Sequence, residues 1–226
     1  MKITYYGHAC LSVEVNGKHL LFDPFISPNE IAKNIDINAI KADYILISHG
    51  HEDHLADAVS IAKRTGATII SNYEIVTWFG SQGIVKGQPM NHGGEWKFDF
   101  GRVKIVNAIH SSVLPDGTYG GNPVGFVVKS SKGSFYHAGD TALTYDMKLI
   151  GDYEKIDFAF LPIGDNFTMG INDAVIAADF IKCNKIIGMH YDTFGFIVID
   201  KNAAKEKFSN AGKELTLMEI GDSIDI

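Results

Sequence analysis

Ser48-His49-Gly50-His51-Glu52-Asp53-His54 gathers three imidazoles and two carboxylates into one short stretch of chain. Before it, residues 44–48 (YILIS) form an apolar run suited to a buried strand. After it, residues 55–63 read as a helix, with Asp53 as its N-cap and Gly66 near its end. Imidazole and carboxylate are donors that zinc, manganese and iron accept. A lone loop histidine is usually there for solvation. Three at this spacing read as metal ligands.

Further along the chain, the same residue types recur at comparable places. His110 follows a predicted strand at 103–108, Asp140 follows the run Phe135-Tyr136-His137-Ala138-Gly139, and His190 follows 185–189. Each sits where strand becomes loop. Strand ends gathered at one rim of a packed sheet pair bring such side chains to one point and hold them rigidly.

The remaining elements suit that arrangement. Residues 11–15 and 18–23 flank Asn16-Gly17, whose tolerance of positive φ marks a hairpin. Residues 96–100 pair with 102–108 about Gly101, and 124–129 with 134–137 about Ser131-Lys132-Gly133. A strand is expected at 156–163, and helices at 144–150, at 173–182 capped by Asn172, and at 202–210. Residues 1–6 alternate like a strand, with His8 at its end. Hairpins first and mixed strands and helices later favour two stacked sheets with helices outside, an α/β class. No linker, repeat or low-complexity tract divides residues 1–226, so one domain is expected.

Composition narrows the setting. A formal net charge of −7 argues against a general nucleic-acid binder. No apolar run approaches a membrane span or the core of a signal peptide. Cys10 and Cys183 make no disulfide framework, so a reduced, cytoplasmic location is expected. Nothing in the chain fixes its oligomeric state, and a homo-oligomer stays open.

Together these residues resemble the metallo-β-lactamase superfamily. Its signature, His-x-His-x-Asp-His, is matched by His49, His51, Asp53 and His54. His110, Asp140 in Ala138-Gly139-Asp140-Thr141, and His190 follow in the family's order, and Leu21-Phe22-Asp23-Pro24 resembles its strand-ending aspartate. Tyr6-Gly7-His8-Ala9-Cys10 is similar to an element of a compact branch related to L-ascorbate-6-phosphate lactonase. Residues 163–170 and His190-Tyr191-Asp192-Thr193-Phe194 resemble a small family described only as metal-dependent hydrolases.

The resemblance implies a four-layer αββα sandwich with two divalent metal ions. Zinc is the first expectation, with manganese or iron as alternatives. His49, His51 and His110 would hold one ion, Asp53, His54 and His190 the other, and Asp140 would bridge them. Such a pair activates a water for attack on a carbonyl carbon or phosphorus. Asp53 would also be catalytic, orienting the nucleophile or passing its proton to the leaving group.

His8 matches a family element, which implies a place beside the metals, where it would bind metal or substrate or donate a proton; a buried structural histidine is the alternative. Asp23 reads as a hydrogen-bonding support of the ligand loop. Asp165 and Thr168 either line the pocket or cap a loop. His137 reads as structural, His19 and His92 as exposed turn residues, and Glu52 as solvent-facing. Neither a nucleophile elbow nor a phosphate loop competes.

The expected activity is hydrolysis of a small-molecule lactone, ester, amide or phosphoester. An RNA nuclease is the alternative, though neither length nor charge suggests an RNA-gripping segment. Diiron redox relatives carry glutamate where this chain has His51. A metal-binding protein without catalysis is the last alternative, against which the intact ligand set argues.

Overall fold

Alternate residues of two neighbouring strands face different partners. Ile45, Ile47 and Ile69 cluster with Ile61 and Phe79, which lie on helices. Leu46 and Ile70, between and beside them, belong to the larger core that contains Phe126 and Phe135. Side chains of a strand alternate between its two faces, so this sheet is covered on both. One face meets helices and the other meets a second sheet.

The computed structural model describes residues 1–226. Strands β1 (Lys2–Gly7), β2 (Cys10–Val15), β3 (Lys18–Phe22), β4 (Tyr44–Leu46), β5 (Thr68–Asn72) and β6 (Gly87–Met90) make most of the first sheet. The second contains β7 (Glu95–Lys97), β8 (Arg102–Asn107), β9 (Val124–Ser130), β10 (Gly133–His137), β11 (Phe158–Pro162), β12 (Lys185–Met189) and β13 (Glu214–Thr216). The last strand, β14 (Ser223–Asp225), returns to the first sheet beside β1. Helices α1 (Glu52–Leu55), α2 (Ala58–Thr65) and α3 (Tyr73–Ser81) connect strands of the first sheet. Helices α4 (Met147–Tyr153), α5 (Ile171–Phe180) and α6 (Lys201–Asn210) do so in the second. The architecture is the expected four-layer αββα sandwich.

Strand direction explains the site. In the first sheet, β1–β2 and β2–β3 pair antiparallel and β3–β4 parallel, so β1, β3 and β4 all run the same way. In the second, β8–β9 and β9–β10 pair antiparallel, then β10–β11 and β11–β12 parallel, so β8, β10 and β12 agree. The carboxyl ends of six strands therefore lie along two facing edges.

Several boundaries differ from expectation. The helix expected at 55–63 is split: His51, not Asp53, stands at the N-cap of α1, and α2 starts afresh at Ala58. Asp57 breaks the run because its Oδ2 accepts hydrogen bonds from Ile26 N–H at 2.7 Å and Ser27 N–H at 2.8 Å. Gly66 ends α2 in the left-handed conformation, φ 72°, as expected of a C-cap. Gly170, not Asn172, caps α5, and α4 begins three residues after the expected 144. Asn16 and Gly17 both take positive φ and close the β2–β3 hairpin. No helix is long and apolar enough to cross a membrane.

His137 lies in the inter-sheet core, stacked on Phe22 with ring centroids 4.6 Å apart. Its Nδ1 accepts a hydrogen bond from Gly139 N–H at 3.2 Å, in keeping with a structural role. Burial pushes its pKa down to about 4 from the ordinary 6.5, against an opposing pull from Asp23. An unfolded chain protonates this ring below pH 6.5 while the folded one resists until about 4. Stability from the neutral ring is therefore complete above the unfolded value and is lost as pH falls through that window. At pH 5 the loss is about 2 kcal/mol. Urea melts of His137→Phe at pH 7.5 and 5 should show a drop in stability smaller by about that amount. An identical drop in wild type and variant would contradict the assignment.

Candidate metal centre

His51 caps α1 and Asp53 and His54 lie within it, while the other candidates stand just beyond carboxyl strand ends. His8 follows β1 and His190 follows β12 directly, while His49, His110 and Asp140 lie three residues past β4, β8 and β10. Backbone bonds stitch the two edges together: His190 N–H donates to His8 O at 2.8 Å, and Val124 N–H to Ser48 O at 2.9 Å. His8, Asp23 and His190 adopt positive φ of 55°, 41° and 57°. Non-glycine residues in this region cost on the order of 1–3 kcal/mol each and persist where surrounding structure holds them. Gly139 has φ 63°, and a Cβ there would meet Val124 O at 2.8 Å. Only glycine suits the turn that presents Asp140.

Asp140 is the centre of the cluster. Its Oδ2 lies 3.0 Å from His190 Nε2, 3.3 Å from His54 Nε2, 3.6 Å from His110 Nε2 and 4.0 Å from His49 Nε2. Around it, nitrogen atoms of His49, His51 and His110 converge within 4.8 Å of one another. On the other side, His54, His190, Asp53 and His8 converge equally tightly. All seven sequence-derived ligand candidates meet, in clusters that overlap: His49 and His54 also converge with Asp140, and His8 joins Asp53, His54 and His190.

The surrounding hydrogen bonds set the tautomers. Asp23, fully buried, accepts from Ser48 N–H and Ser48 Oγ, each at 2.7 Å, and from His54 Nδ1 at 3.0 Å. Ser48 Oγ donates to Asp23, so it accepts from His49 Nδ1 at 2.9 Å. His49 thereby carries its proton on Nδ1, and both rings turn Nε2 toward Asp140. This is the support a metal-binding histidine needs.

Electrostatics agree. Burial lowers the pKa of His49, His51 and His110 below 6.5, leaving neutral imidazoles. Burial alone would raise Asp140, but His190 and His54 hold it well below the ordinary carboxylate range. Burial acts to lower His54, yet Asp140 and Asp23 overcome it and raise the ring well above 6.5. The site attracts positive charge. His54 Nε2, Asp140 Oδ1 and His190 Nδ1 are buried without a hydrogen-bond partner. Such atoms cost roughly 1–3 kcal/mol each unless something satisfies them. Divalent cations at the inward-facing atoms suit this donor set.

His8 is fully buried behind the centre and does not line the cleft. Its Nε2 lies 3.1 Å from Asp53 Oδ2 and its Nδ1 3.0 Å from Thr193 Oγ1. Burial pushes its pKa down to about 4, helped by the neighbouring His190 and opposed by Asp53. It stands behind Asp53, and its ring nitrogen converges with Asp53, His54 and His190 within 4.8 Å. Asp165 caps its own loop, accepting from Asn166 N–H at 2.8 Å, and neither it nor Thr168 lines the cleft. Glu52 is exposed.

The cleft has a volume of about 670 Å³. His51, Asp53, His110, Asp140 and His190 line it, together with Phe167, Phe194 and Phe196. The supporting roles of Ser48 and Thr193 and the three phenylalanines went unread in the sequence. Ser48 and Thr193 do adjoin ligand segments, which is the one signal available for them.

The β-lactamase superfamily domain matches residues 2–190. Over 226 residues, covering all of both chains, the protein is 58% identical to a UPF0173 metal-dependent hydrolase of Flavobacterium johnsoniae. The chain belongs to this family of metal-dependent hydrolases, within the β-lactamase superfamily. A UPF0173 metal-dependent hydrolase of Methylacidiphilum infernorum is 50% identical over 224 residues, with 99% of each chain covered. Among solved structures, a metallo hydrolase of the hyperthermophilic archaeon Ignicoccus hospitalis superposes with a TM-score of 0.90. It is 36% identical, and the match covers 99% of this chain and 97% of that one.

In a UPF0173 hydrolase held together in this way, Asp23→Asn should weaken zinc binding by about 10–100-fold with the fold retained. An asparagine keeps one acceptor for Ser48 but cannot serve Ser48 Oγ and His54 as the carboxylate does. Competition with a chromophoric chelator measures the affinity. Unchanged affinity would contradict the supporting role of Asp23.

Proposed function

We propose that this chain hydrolyses a small-molecule lactone, ester, amide or phosphoester at a dinuclear zinc centre. His49, His51 and His110 hold one ion, Asp53, His54 and His190 the other, with Asp140 between them. The observation that carries this reading is the division of the donors into two groups on either side of Asp140. A pair of such ions lowers the pKa of a shared water and stabilises charge growing on a substrate oxygen.

The chain's own groups then manage orientation and protons. Thr193 holds the His8 ring, and His8 Nε2 anchors Oδ2 of Asp53, which lines the cleft. Burial would raise the Asp53 carboxyl, but the hydrogen bond from His8 and the nearby His54 pull it below the ordinary range. Asp53 therefore stays ionised, accepts a proton from the attacking water and releases it readily to the departing group. His8 acts through Asp53 as a positioning residue. The RNA-cleaving alternative lacks support at the cleft, whose lining includes no lysine or arginine to grip phosphates. We assign the enzyme to the cytoplasm, in keeping with the free, buried thiols of Cys10 and Cys183.

Elemental analysis of protein purified without added metal, together with turnover of a panel of lactones, esters and phosphodiesters, tests the proposal. Wild type should carry two equivalents of metal. Asp140→Ala should lose at least one and nearly all turnover, with an unchanged circular dichroism spectrum. Retention of both metals and wild-type turnover in that variant would overturn the site assignment.

A further inference from the structure

The wall facing the candidate metal centre is apolar and left in water. Phe167, Phe194 and Phe196 are 50%, 39% and 77% exposed, and all three line the cleft. Large aromatic side chains dominate the energetics of surfaces that bind, so a cluster left in solvent beside a reaction centre has a use. Phe167 and Phe196 meet edge to face with ring centroids 6.2 Å apart. Phe194 sets its edge against His8 at 5.4 Å, directly behind Asp53.

The two loops that carry these rings are braced. Gly164 and Gly170 form a bridge beneath the Phe167 loop, Asp165 N–H donates to Met169 O at 3.1 Å, and Met169 is fully buried. In the other loop, Ile197 N–H donates to Phe194 O at 3.0 Å, and Asp192 N–H to Ile197 O at 2.8 Å. Asp192 Oδ1 accepts from Ile199 N–H at 3.0 Å. Rings held in place before binding lose little entropy when a ligand arrives.

Charge points the same way. The ionisable side chains of the lining are the candidate ligands alone, and no lysine or arginine stands among them. Thr193, the one hydroxyl there, is already engaged with His8. A phosphate or sulfate on the substrate, away from the reacting atoms, would find no charged partner on this wall.

Resting on the hydrolase reading above, we infer that the esters and lactones it includes are taken when they carry an uncharged aryl group. Its ring packs on Phe167, Phe194 and Phe196. Water adds its oxygen to the acyl carbon, the acyl C–O bond breaks, and one proton passes to the departing alkoxide. A hydroxy acid results from a lactone, and an acid and an alcohol from an ester.

Three lactones test this with the metal-loaded enzyme: γ-phenyl-γ-butyrolactone, unsubstituted γ-butyrolactone, and γ-butyrolactone carrying a phosphomethyl group. The phenyl compound should have a kcat/KM about tenfold or more above the others, as expected for burial of a phenyl ring. Phe196→Ala and Phe167→Ala should each raise KM for it by about tenfold, with a clearly smaller loss of kcat/KM on the unsubstituted lactone. A second readout needs no turnover. In saturation-transfer NMR, the phenyl protons of 2-phenyltetrahydrofuran, which has no carbonyl to cleave, should receive saturation from wild type but not from the double alanine variant.

Fastest turnover of the phosphorylated lactone would overturn the inference, as would equal losses on both neutral lactones in the variants. A change of oligomeric size in the variants with KM unaltered would also overturn it, marking the rings as a subunit contact. If no lactone is cleaved but the ether binds wild type alone, the hydrolytic reading fails and the aryl site stands.

Discussion

Asp23 holds the candidate centre together. Fully buried just past β3, it binds the backbone and hydroxyl of Ser48 and the ring of His54, and through Ser48 it reaches His49. One carboxylate thus fixes the orientation of two ligand rings, His54 directly and His49 through Ser48. A carboxyl group so deep is costly unless its oxygens are hydrogen-bonded. The ligand loop supplies those bonds, so the loop and its anchor stabilise each other.

The fold makes this convergence affordable. Each sheet starts with antiparallel hairpins and ends with parallel crossovers, which aligns the carboxyl ends of six strands along one rim. Rigid strands end there and short loops turn inward. The local cost shows in the positive φ of His8, Asp23 and His190 and in three buried polar atoms without partners. Sequences that agree with their fold at every level commonly break the rules at functional sites. Here three of the six unpartnered buried atoms, and three of the eight non-glycine residues with positive φ, belong to Asp140 and the residues around it.

The ligand set and the layer order were legible because they rest on local signals. Three imidazoles after an apolar strand, a Gly-Asp turn, and histidines following strands can all be read without knowing what packs on what. Other features depend on distant partners. The break between α1 and α2 comes from Asp57 reaching Ile26 and Ser27, some thirty residues away in the chain, which no helical periodicity encodes. The segment β5–α3–β6 escaped notice because Gly87-Gln88-Pro89-Met90 lacks the apolar alternation of a strand. It serves as an edge, where proline is tolerated. His8 was visible as unusual, yet its direction was not: only the fold turns both of its nitrogens to Asp53 and Thr193. Nothing in the sequence gives the three phenylalanines a role, and only coordinates reveal them exposed in the cleft.

Anomalous diffraction from crystals grown with zinc most directly tests the dinuclear centre. Two peaks about 3.5–4 Å apart are expected. One should contact His49, His51 and His110, the other Asp53, His54 and His190, with Asp140 between them. A single peak, or peaks away from Asp140, would contradict it.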